Sequence, residues 1–209
     1  MVDKSARIHS TALIEEGVSI GPGSSVWDNV HVRRNTSIGK ECIIGEKTYI
    51  AYDVKIGNGV KINSFVYICT GVTIEDQVMI AAGTIFTNDR FPRAFDPENF
   101  SPQTSEVTDE TLYTTVCRGV TIGAGCVIGP GVRLGEFSMV GMGSVVTKDV
   151  APYRLVYGNP AKLQGFVCLC GEPFIKMSRK PIVKNRKLVC SKCNRPYLLS
   201  KNLKIKLIA

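Results

Sequence analysis

The stretch IGKECIIGEKTYIAYDVKIGNGVKI, residues 38–62, repeats one pattern every six residues. Each unit opens on an aliphatic residue, and four places later stands a small residue: Ala, Val, Ser, Thr or Cys. In both directions from this stretch the aliphatic series reads Ile8, Ile14, Ile20, Val26, Val32, Ile38, Ile44, Ile50, Ile56, Ile62, Ile68, Ile74, Ile80 and Phe86. After an interruption it resumes as Val116, Ile122, Ile128, Leu134, Val140 and Val146. A period that holds over this length indicates a stack of similar structural units.

Each unit is predicted to form one short strand and one tight turn. The aliphatic side chain points inward, and only a small residue fits the second inward position. Three units, about 18 residues, close one triangular coil, and stacked coils bury a continuous aliphatic column. Glycine often follows the aliphatic residue, and we expect it to supply corner torsions that other residues resist. Those glycines are Gly21, Gly39, Gly45, Gly57, Gly123, Gly129, Gly135 and Gly141. The sequence therefore predicts an all-β fold, a parallel β-helix.

The repeat is interrupted by residues 87–115, TNDRFPRAFDPENFSPQTSEVTDETLYTT. Proline and acidic residues are frequent there, which predicts a long loop, and loops of this length are usually functional or disordered. Near its start, Arg90, Phe91, Arg93 and Phe95 mix basic and aromatic groups that suit a ligand. We predict a β-helix domain over residues 1–165, including the loop at 87–115, and a separate tail over residues 166–209.

The composition, with 44% hydrophobic residues in 209, is sufficient for a buried core and excludes disorder. The sequence shows neither an apolar run long enough for a membrane helix nor a signal peptide, so we expect a cytoplasmic protein with no membrane partner. The net charge of +8 comes from the tail. No acidic residue follows Glu172, while eleven Lys and Arg lie from Lys176 to Lys206, leaving 15 basic and 18 acidic residues before them. This basic tail is either a solvated surface or a surface for polyanions.

Four cysteines form two pairs in the tail, in CLCG and CSKC. They are Cys168, Cys170, Cys190 and Cys193. Two such pairs, separated by about 20 residues, can close one tetrahedral zinc site. Because cysteine fills all four positions, the predicted zinc is structural and the tail is expected to resemble a zinc ribbon. Free thiols remain the alternative.

Three motifs on this repeat resemble the sugar-nucleotide N-acetyltransferases of the hexapeptide-repeat superfamily. They are VWDNVHV at 26–32, IFTNDRFPRA at 85–94 and VYGNPAK at 156–162. The resemblance covers residues 8–166 and is greatest to enzymes that acetylate UDP-2-acetamido-3-amino-2,3-dideoxyglucuronate or dTDP-3-amino-3,6-dideoxyhexoses. It implies a left-handed β-helix, a homotrimer, and acetyl-CoA bound between neighbouring β-helices. The implied product serves surface polysaccharides such as lipopolysaccharide.

The resemblance also assigns roles to individual residues. Asn88 matches an asparagine that orients the substrate amine, and His31 matches the second histidine of a W-H-F-x-H motif whose first position is Asp28 here. Arg90 and Arg93 suit a diphosphate or a sugar carboxylate. The positions that match coenzyme-binding ones are Met142, Gly143, Asn159 and Lys162.

Steps of 18 residues place His31 and Tyr67 in one outward column, which reads Leu13, His31, Tyr49, Tyr67 and Ile85. We include Tyr67 among the candidate substrate-binding residues. For His31, packing at a trimer seam and a role as auxiliary base both remain open. An O-acetyltransferase would need His31 to activate a hydroxyl group. A nucleic-acid-binding scaffold that uses the basic tail is the alternative from another class, although it has no need of the FTN loop.

Overall fold

The computed structural model describes residues 1–103, 107–109, 111–176 and 185–208. Within these ranges the regular structure consists of β-strands alone. None of these residues belongs to a helix that is long and apolar enough to cross a membrane. Parts of the predicted loop (104–106 and 110) and of the predicted basic tail (177–184) lie outside the described residues.

The six-residue units form three parallel sheets, which we call faces 1, 2 and 3. Face 1 contains β1 (Arg7–Ile8), β4 (Ser25–Val26), β7 (Ile43–Ile44), β10 (Lys61–Ile62), β13 (Met79–Ile80), β16 (Thr121–Ile122), β19 (Met139–Val140) and β21 (Arg154–Tyr157). Face 2 contains β2 (Leu13–Ile14), β5 (His31–Val32), β8 (Tyr49–Ile50), β11 (Tyr67–Ile68), β14 (Ile85–Phe86), β17 (Val127–Ile128) and β20 (Val145–Val146). Face 3 contains β3 (Ser19–Ile20), β6 (Ser37–Ile38), β9 (Lys55–Ile56), β12 (Val72–Ile74), β15 (Thr114–Val116) and β18 (Arg133–Leu134). The chain is a parallel β-helix, as predicted.

Strand register confirms the predicted coil length. Ser25 pairs with Ile43, and Tyr49 pairs with Tyr67, so one coil adds 18 residues. Across the loop Ile85 pairs with Val127, a step of 42 residues, so the loop inserts 24 residues, which is a multiple of six. The inward positions therefore keep their phase on both sides of the loop.

The aliphatic series lines the interior, as Ile44, Ile50 and Ile62 show by their complete burial. Serine and threonine at the second inward position are also buried, and their hydroxyl groups donate hydrogen bonds to the next coil. The Ser24 hydroxyl donates to the Gly39 carbonyl at 2.8 Å, and the Thr36 hydroxyl donates to the Ala51 carbonyl at 2.8 Å. These bonds remove the cost of burying a polar group in an aliphatic column.

The predicted reason for the repeated glycines is wrong. The glycines that follow the aliphatic residues do not have positive φ; that conformation occurs elsewhere at the corners, at Gly59 and even at Phe65. The constraint is space instead. A β-carbon at Gly45 would lie 2.6 Å from the carbonyl carbon of Asn63 in the next coil. Stacked coils approach each other so closely at this position that only a hydrogen fits.

Beyond the last coil, face 1 continues into two antiparallel strands, β22 (Lys162–Val167) and β23 (Pro173–Lys176). A separate antiparallel sheet follows, with β24 (Arg186–Val189), β25 (Pro196–Leu199) and β26 (Ile205–Leu207). Aromatic contacts join this sheet to the β-helix: Phe137 stacks on Tyr153 at 5.5 Å, and Tyr153 meets Tyr197 edge-on at 5.8 Å. The ring of Tyr197 is fully buried, so this aromatic stack fixes the tail against a corner of the β-helix.

Candidate active site

A cavity of about 500 Å³ lies between the β-helix and the loop that follows β14. Its lining includes Asn88, Tyr67 and Arg93 from the predicted site, together with Arg33, Tyr49 and Tyr52. Arg90 is exposed and is not among the lining residues. The structure thus brings together three of the predicted substrate-binding and catalytic residues in one concave site, the type of surface that small ligands usually occupy.

The corner between faces 2 and 3 positions Asn88. Thr70 stands three residues after Tyr67 and Asn88 three residues after Ile85, and Tyr67 pairs with Ile85. Tyr52 holds the same place after Tyr49 one coil earlier. Tyr52, Thr70 and Asn88 therefore stack along this corner. The Asn88 carbonyl accepts a hydrogen bond from the Leu112 N–H at 3.2 Å, which ties the start of the loop to its end.

The predicted outward column on face 2 is a ladder of rings. The His31 ring meets Tyr49 edge-on at 5.3 Å, and Tyr49 stacks on Tyr67 at 5.4 Å with the planes within 6°. Tyr67 remains 44% exposed. This ladder forms one wall of the cavity and also leaves an aromatic surface on the outside of the β-helix.

Glu15 holds His31 and Arg33 together. Its Oε1 lies 2.8 Å from His31 Nε2 and 2.6 Å from Arg33 Nε, and its Oε2 accepts the Arg34 N–H at 2.9 Å. Partial desolvation raises the pKa of Glu15, but these hydrogen bonds and the Arg33 charge outweigh it and lower that pKa to about 2. Glu15 is therefore ionised near neutral pH, where it orients the imidazole through Nε2.

The structure does not place His31 beside Asn88 in one chain. His31 lies on β5 and Asn88 follows β14, and two strands of face 2 lie between them. At a strand spacing of ~4.8 Å, three steps separate the two levels by about 14 Å. The two candidate catalytic residues of one chain cannot contact the same amine at once.

The candidate coenzyme residues lie at the other edge of face 2. Met142 is 81% exposed and, with Gly143, forms the turn between β19 and β20. The Gly158 carbonyl accepts the Val145 N–H at 3.0 Å, which brings the Asn159 turn against the last strand of face 2. Lys162 then opens β22. These residues share one end of the β-helix, but the width of face 2 separates them from Asn88.

The four tail cysteines converge. Their sulfur atoms all lie within 4.8 Å of one another, with Cys168 Sγ 3.3 Å from Cys193 Sγ and Cys170 Sγ 3.8 Å from Cys190 Sγ. All four are free thiols, and Cys168 and Cys190 are buried. Burial raises the pKa of Cys168 to about 12, whereas the Arg195 N–H helps lower the pKa of Cys193 to about 6. The cluster has the ligand number and compactness of a metal centre.

Sequence reasoning did not identify Glu15, Arg33 or Tyr52. A signal for Tyr52 was present, because steps of 18 residues back from Asn88 pass through Thr70 and Tyr52. Glu15 and Arg33 had no such signal. Their contact joins adjacent coils across a corner, and it depends on side-chain direction rather than on the period.

The sequence profile of the bacterial transferase hexapeptide family, with its six repeats, matches residues 11–52, 53–88 and 113–148. Together these segments form more than half of the chain and contain nearly all of its coils. The chain belongs to the bacterial transferase hexapeptide family.

Several relatives are acetyltransferases by name. The dTDP-3-amino-3,6-dideoxy-alpha-D-galactopyranose 3-N-acetyltransferase of Aneurinibacillus thermoaerophilus is 54% identical over 57 residues, 27% of this chain and 30% of that protein. A chloramphenicol acetyltransferase of Klebsiella aerogenes is 45% identical over 49 residues, 23% of each chain. The match therefore spans less than a third of either relative. Among solved structures, a hexapeptide-repeat-containing acetyltransferase of Vibrio cholerae has a TM-score of 0.52 and 26% identity over 62% of this chain and 72% of that one.

Proposed function

We propose that the protein is an acetyl-CoA-dependent N-acetyltransferase that acts on the amino group of a UDP- or dTDP-linked amino sugar. The cavity that Asn88 shares with Arg93 and Tyr67 carries this proposal, because it combines an amide, a cation and an exposed ring in one concave site. Family membership supports the reaction class, and the Aneurinibacillus relative supports the substrate class. The product would enter a surface polysaccharide, and the free thiols suit a reducing, cytoplasmic location.

In this proposal the chain contributes mainly position. The neutral sugar amine attacks the thioester carbonyl, a C–N bond forms, the C–S bond breaks, and the amine loses one proton. Asn88 orients the amine, and Arg93 pairs with an anionic group of the substrate. An amine that is already neutral needs little activation, so the missing contact between His31 and Asn88 does not block the reaction.

The test is acetyl transfer itself. Purified protein, acetyl-CoA and a panel of UDP- and dTDP-linked amino sugars should release CoA thiol, and mass spectrometry should find an acetamide on the sugar. Release with no amino-sugar nucleotide in the panel would reject the proposed substrate class. Binding of nucleic acid at physiological salt without acetyl transfer would instead favour the scaffold alternative.

We propose a homotrimer in which a neighbouring chain completes the site. Asn88 and the Met142 turn lie at opposite edges of face 2, so one chain does not surround both the sugar and the coenzyme. The exposed ladder that includes Tyr67, with the neighbouring exposed side chains of Trp27 and Phe65, is a natural contact surface for a second copy.

Light scattering should therefore give about 68 kDa, three times the chain mass of 22.8 kDa. Tyr67→Asp should weaken assembly because it places a charge on the exposed ladder, whereas Lys61→Asp on face 1 serves as the matched surface control. A fully active monomer would contradict the proposed assembly.

We further propose that Cys168, Cys170, Cys190 and Cys193 hold one structural zinc ion. Four thiolates around zinc, each at about 2.3 Å, have sulfur atoms about 3.8 Å apart in a tetrahedron. The distances of 3.3 and 3.8 Å between paired sulfurs fit that requirement without a change of backbone. The donor set leaves no open position, so zinc would stabilise the tail and take no part in catalysis.

A second candidate, O-acetylation of a sugar hydroxyl, is favoured by the Glu15–His31 contact. An ionised carboxylate that binds one nitrogen of an imidazole leaves the other nitrogen free to accept a proton, as an alcohol nucleophile requires.

The pH dependence of His31→Ala separates the two reactions. With an amine substrate we expect a modest loss of activity that higher pH partly restores, because more of the amine is then neutral. Rates for His31→Ala and the wild type, measured from pH 6 to 9, check this expectation. Loss of turnover at every pH would favour a hydroxyl substrate, and Glu15→Gln should then show a similar but smaller loss.

A further inference from the structure

We propose that Tyr52 and Arg33 form an anion-binding subsite in the cavity, which takes the diphosphate or the sugar carboxylate of the substrate. This inference rests on the proposed function and adds to it the group that the cavity recognises. The shared chemistry of the two ligands is an anionic oxygen that accepts hydrogen bonds.

The Tyr52 hydroxyl is the first observation. Tyr52 lines the cavity, is 5% exposed, and its buried hydroxyl has no hydrogen-bond partner among the described residues. A buried hydroxyl without a partner is costly, and such groups in folded proteins are nearly always satisfied. Because this one belongs to a side chain that lines the cavity, the missing acceptor is expected to come from a ligand.

The charge around this hydroxyl defines the acceptor. The Arg34 guanidinium carbon lies 4.8 Å from the centre of the Tyr52 ring, and that of Arg33 lies 5.8 Å from it. Two cations near one ring favour donation from its hydroxyl and attract an anion. A neutral acceptor would make less use of this arrangement.

Arg33 is fixed before any ligand arrives. Its Nε contacts Glu15 at 2.6 Å, and its Nη1 donates to the Tyr49 hydroxyl at 2.7 Å. Glu15 shares its charge with His31 and with the Arg34 N–H, so it does not serve Arg33 alone. A guanidinium held in this way loses little conformational entropy when it binds phosphate or carboxylate oxygens.

The subsite also lies at a suitable distance from Asn88. Tyr52, Thr70 and Asn88 occupy successive levels of one corner, so Tyr52 is about 10 Å below Asn88 at the usual strand spacing. That separation is comparable to the length of one hexose with its diphosphate. An amine at Asn88 would therefore place the anionic part of a nucleotide sugar beside Tyr52.

The experiment measures binding of UDP, dTDP, uridine and two UDP-linked amino sugars, one neutral and one uronate, by calorimetry. The variants are Tyr52→Phe and Arg33→Gln, each measured beside the wild-type protein. Tyr153→Phe and Arg118→Gln remove the same groups at the corner between faces 3 and 1, away from the cavity, and serve as controls. Tyr52→Phe keeps the ring between the guanidinium groups, so it remains informative if Arg33→Gln does not fold.

We expect Kd for the anionic ligand to rise about 5- to 10-fold in Tyr52→Phe and about 10- to 100-fold in Arg33→Gln. If the anion is the diphosphate, both UDP-sugars and free UDP weaken together, while uridine does not. If it is the carboxylate, only the uronate weakens. The subsite is rejected if Tyr52→Phe binds every ligand as the wild type does, since the hydroxyl then serves only water.

Acetyl transfer by the wild-type protein, measured in parallel, keeps this result apart from the proposed function. Transfer with unchanged binding in both variants would reject the subsite and leave the proposed function standing. Weaker UDP binding in the variants, without transfer to any amino sugar, would support the subsite and reject the proposed reaction.

Discussion

Replacement of Asn88 by alanine is expected to lower kcat for acetyl transfer by roughly 10²-fold, with a smaller change in KM. The reason is position: Asn88 lies at the point where the corner column meets the loop, and its amide would hold the attacking amine. A contact that matters most when the amine attacks is lost from kcat rather than from binding. Steady-state rates with saturating acetyl-CoA and a UDP- or dTDP-linked amino sugar measure the effect.

Asn63→Ala is the matched control, because Asn63 occupies a different corner, between faces 1 and 2, and does not line the cavity. Its kcat should stay near that of the wild type. A nearly unchanged kcat in Asn88→Ala, combined with complete loss in His31→Ala, would reverse the assigned roles.

Loss of the zinc site should have the largest structural effect. Wild-type protein is expected to contain about one zinc ion per chain, and Cys190→Ser should lose it. Zinc binding in small cysteine-rich modules supplies folding free energy of about 10 kcal/mol or more, and the tail has only a small core around Cys168, Cys190 and Tyr197. Protease cleavage after residue 166 should therefore become rapid in the variant, while the β-helix stays resistant.

Cys126→Ser provides the control for a cysteine of the β-helix interior. Ser144, one coil later, holds the same inward position and donates its hydroxyl to the Gly141 carbonyl, so serine is compatible with that site. Metal content and tail resistance should be unchanged in Cys126→Ser. Freshly reduced wild-type protein without zinc, or a protease-resistant tail in Cys190→Ser, would count against the metal site.

The candidate site was only partly accessible to sequence reasoning. Asn88, Arg93 and Tyr67 were predicted, and the structure brings them to one cavity. His31 and Asn88 were predicted to act together, but the register of face 2 places them three strands apart. Tyr52 was missed because its importance depends on a hydroxyl that is buried without a partner, and no periodic pattern reports that.

The six-residue period by itself determined the parallel β-helix, the inward aliphatic column and the phase across the loop. It could do so because stacking equivalent units buries equivalent positions, and each unit carries its own strand and turn. The tertiary structure alone decided why the repeated glycines are needed, since the distance between Gly45 and Asn63 arises only when coils stack. It also decided that Glu15 meets both His31 and Arg33, and that four distant cysteines converge. These contacts depend on side-chain direction at corners and on how the tail folds back, which a repeat in the sequence does not encode.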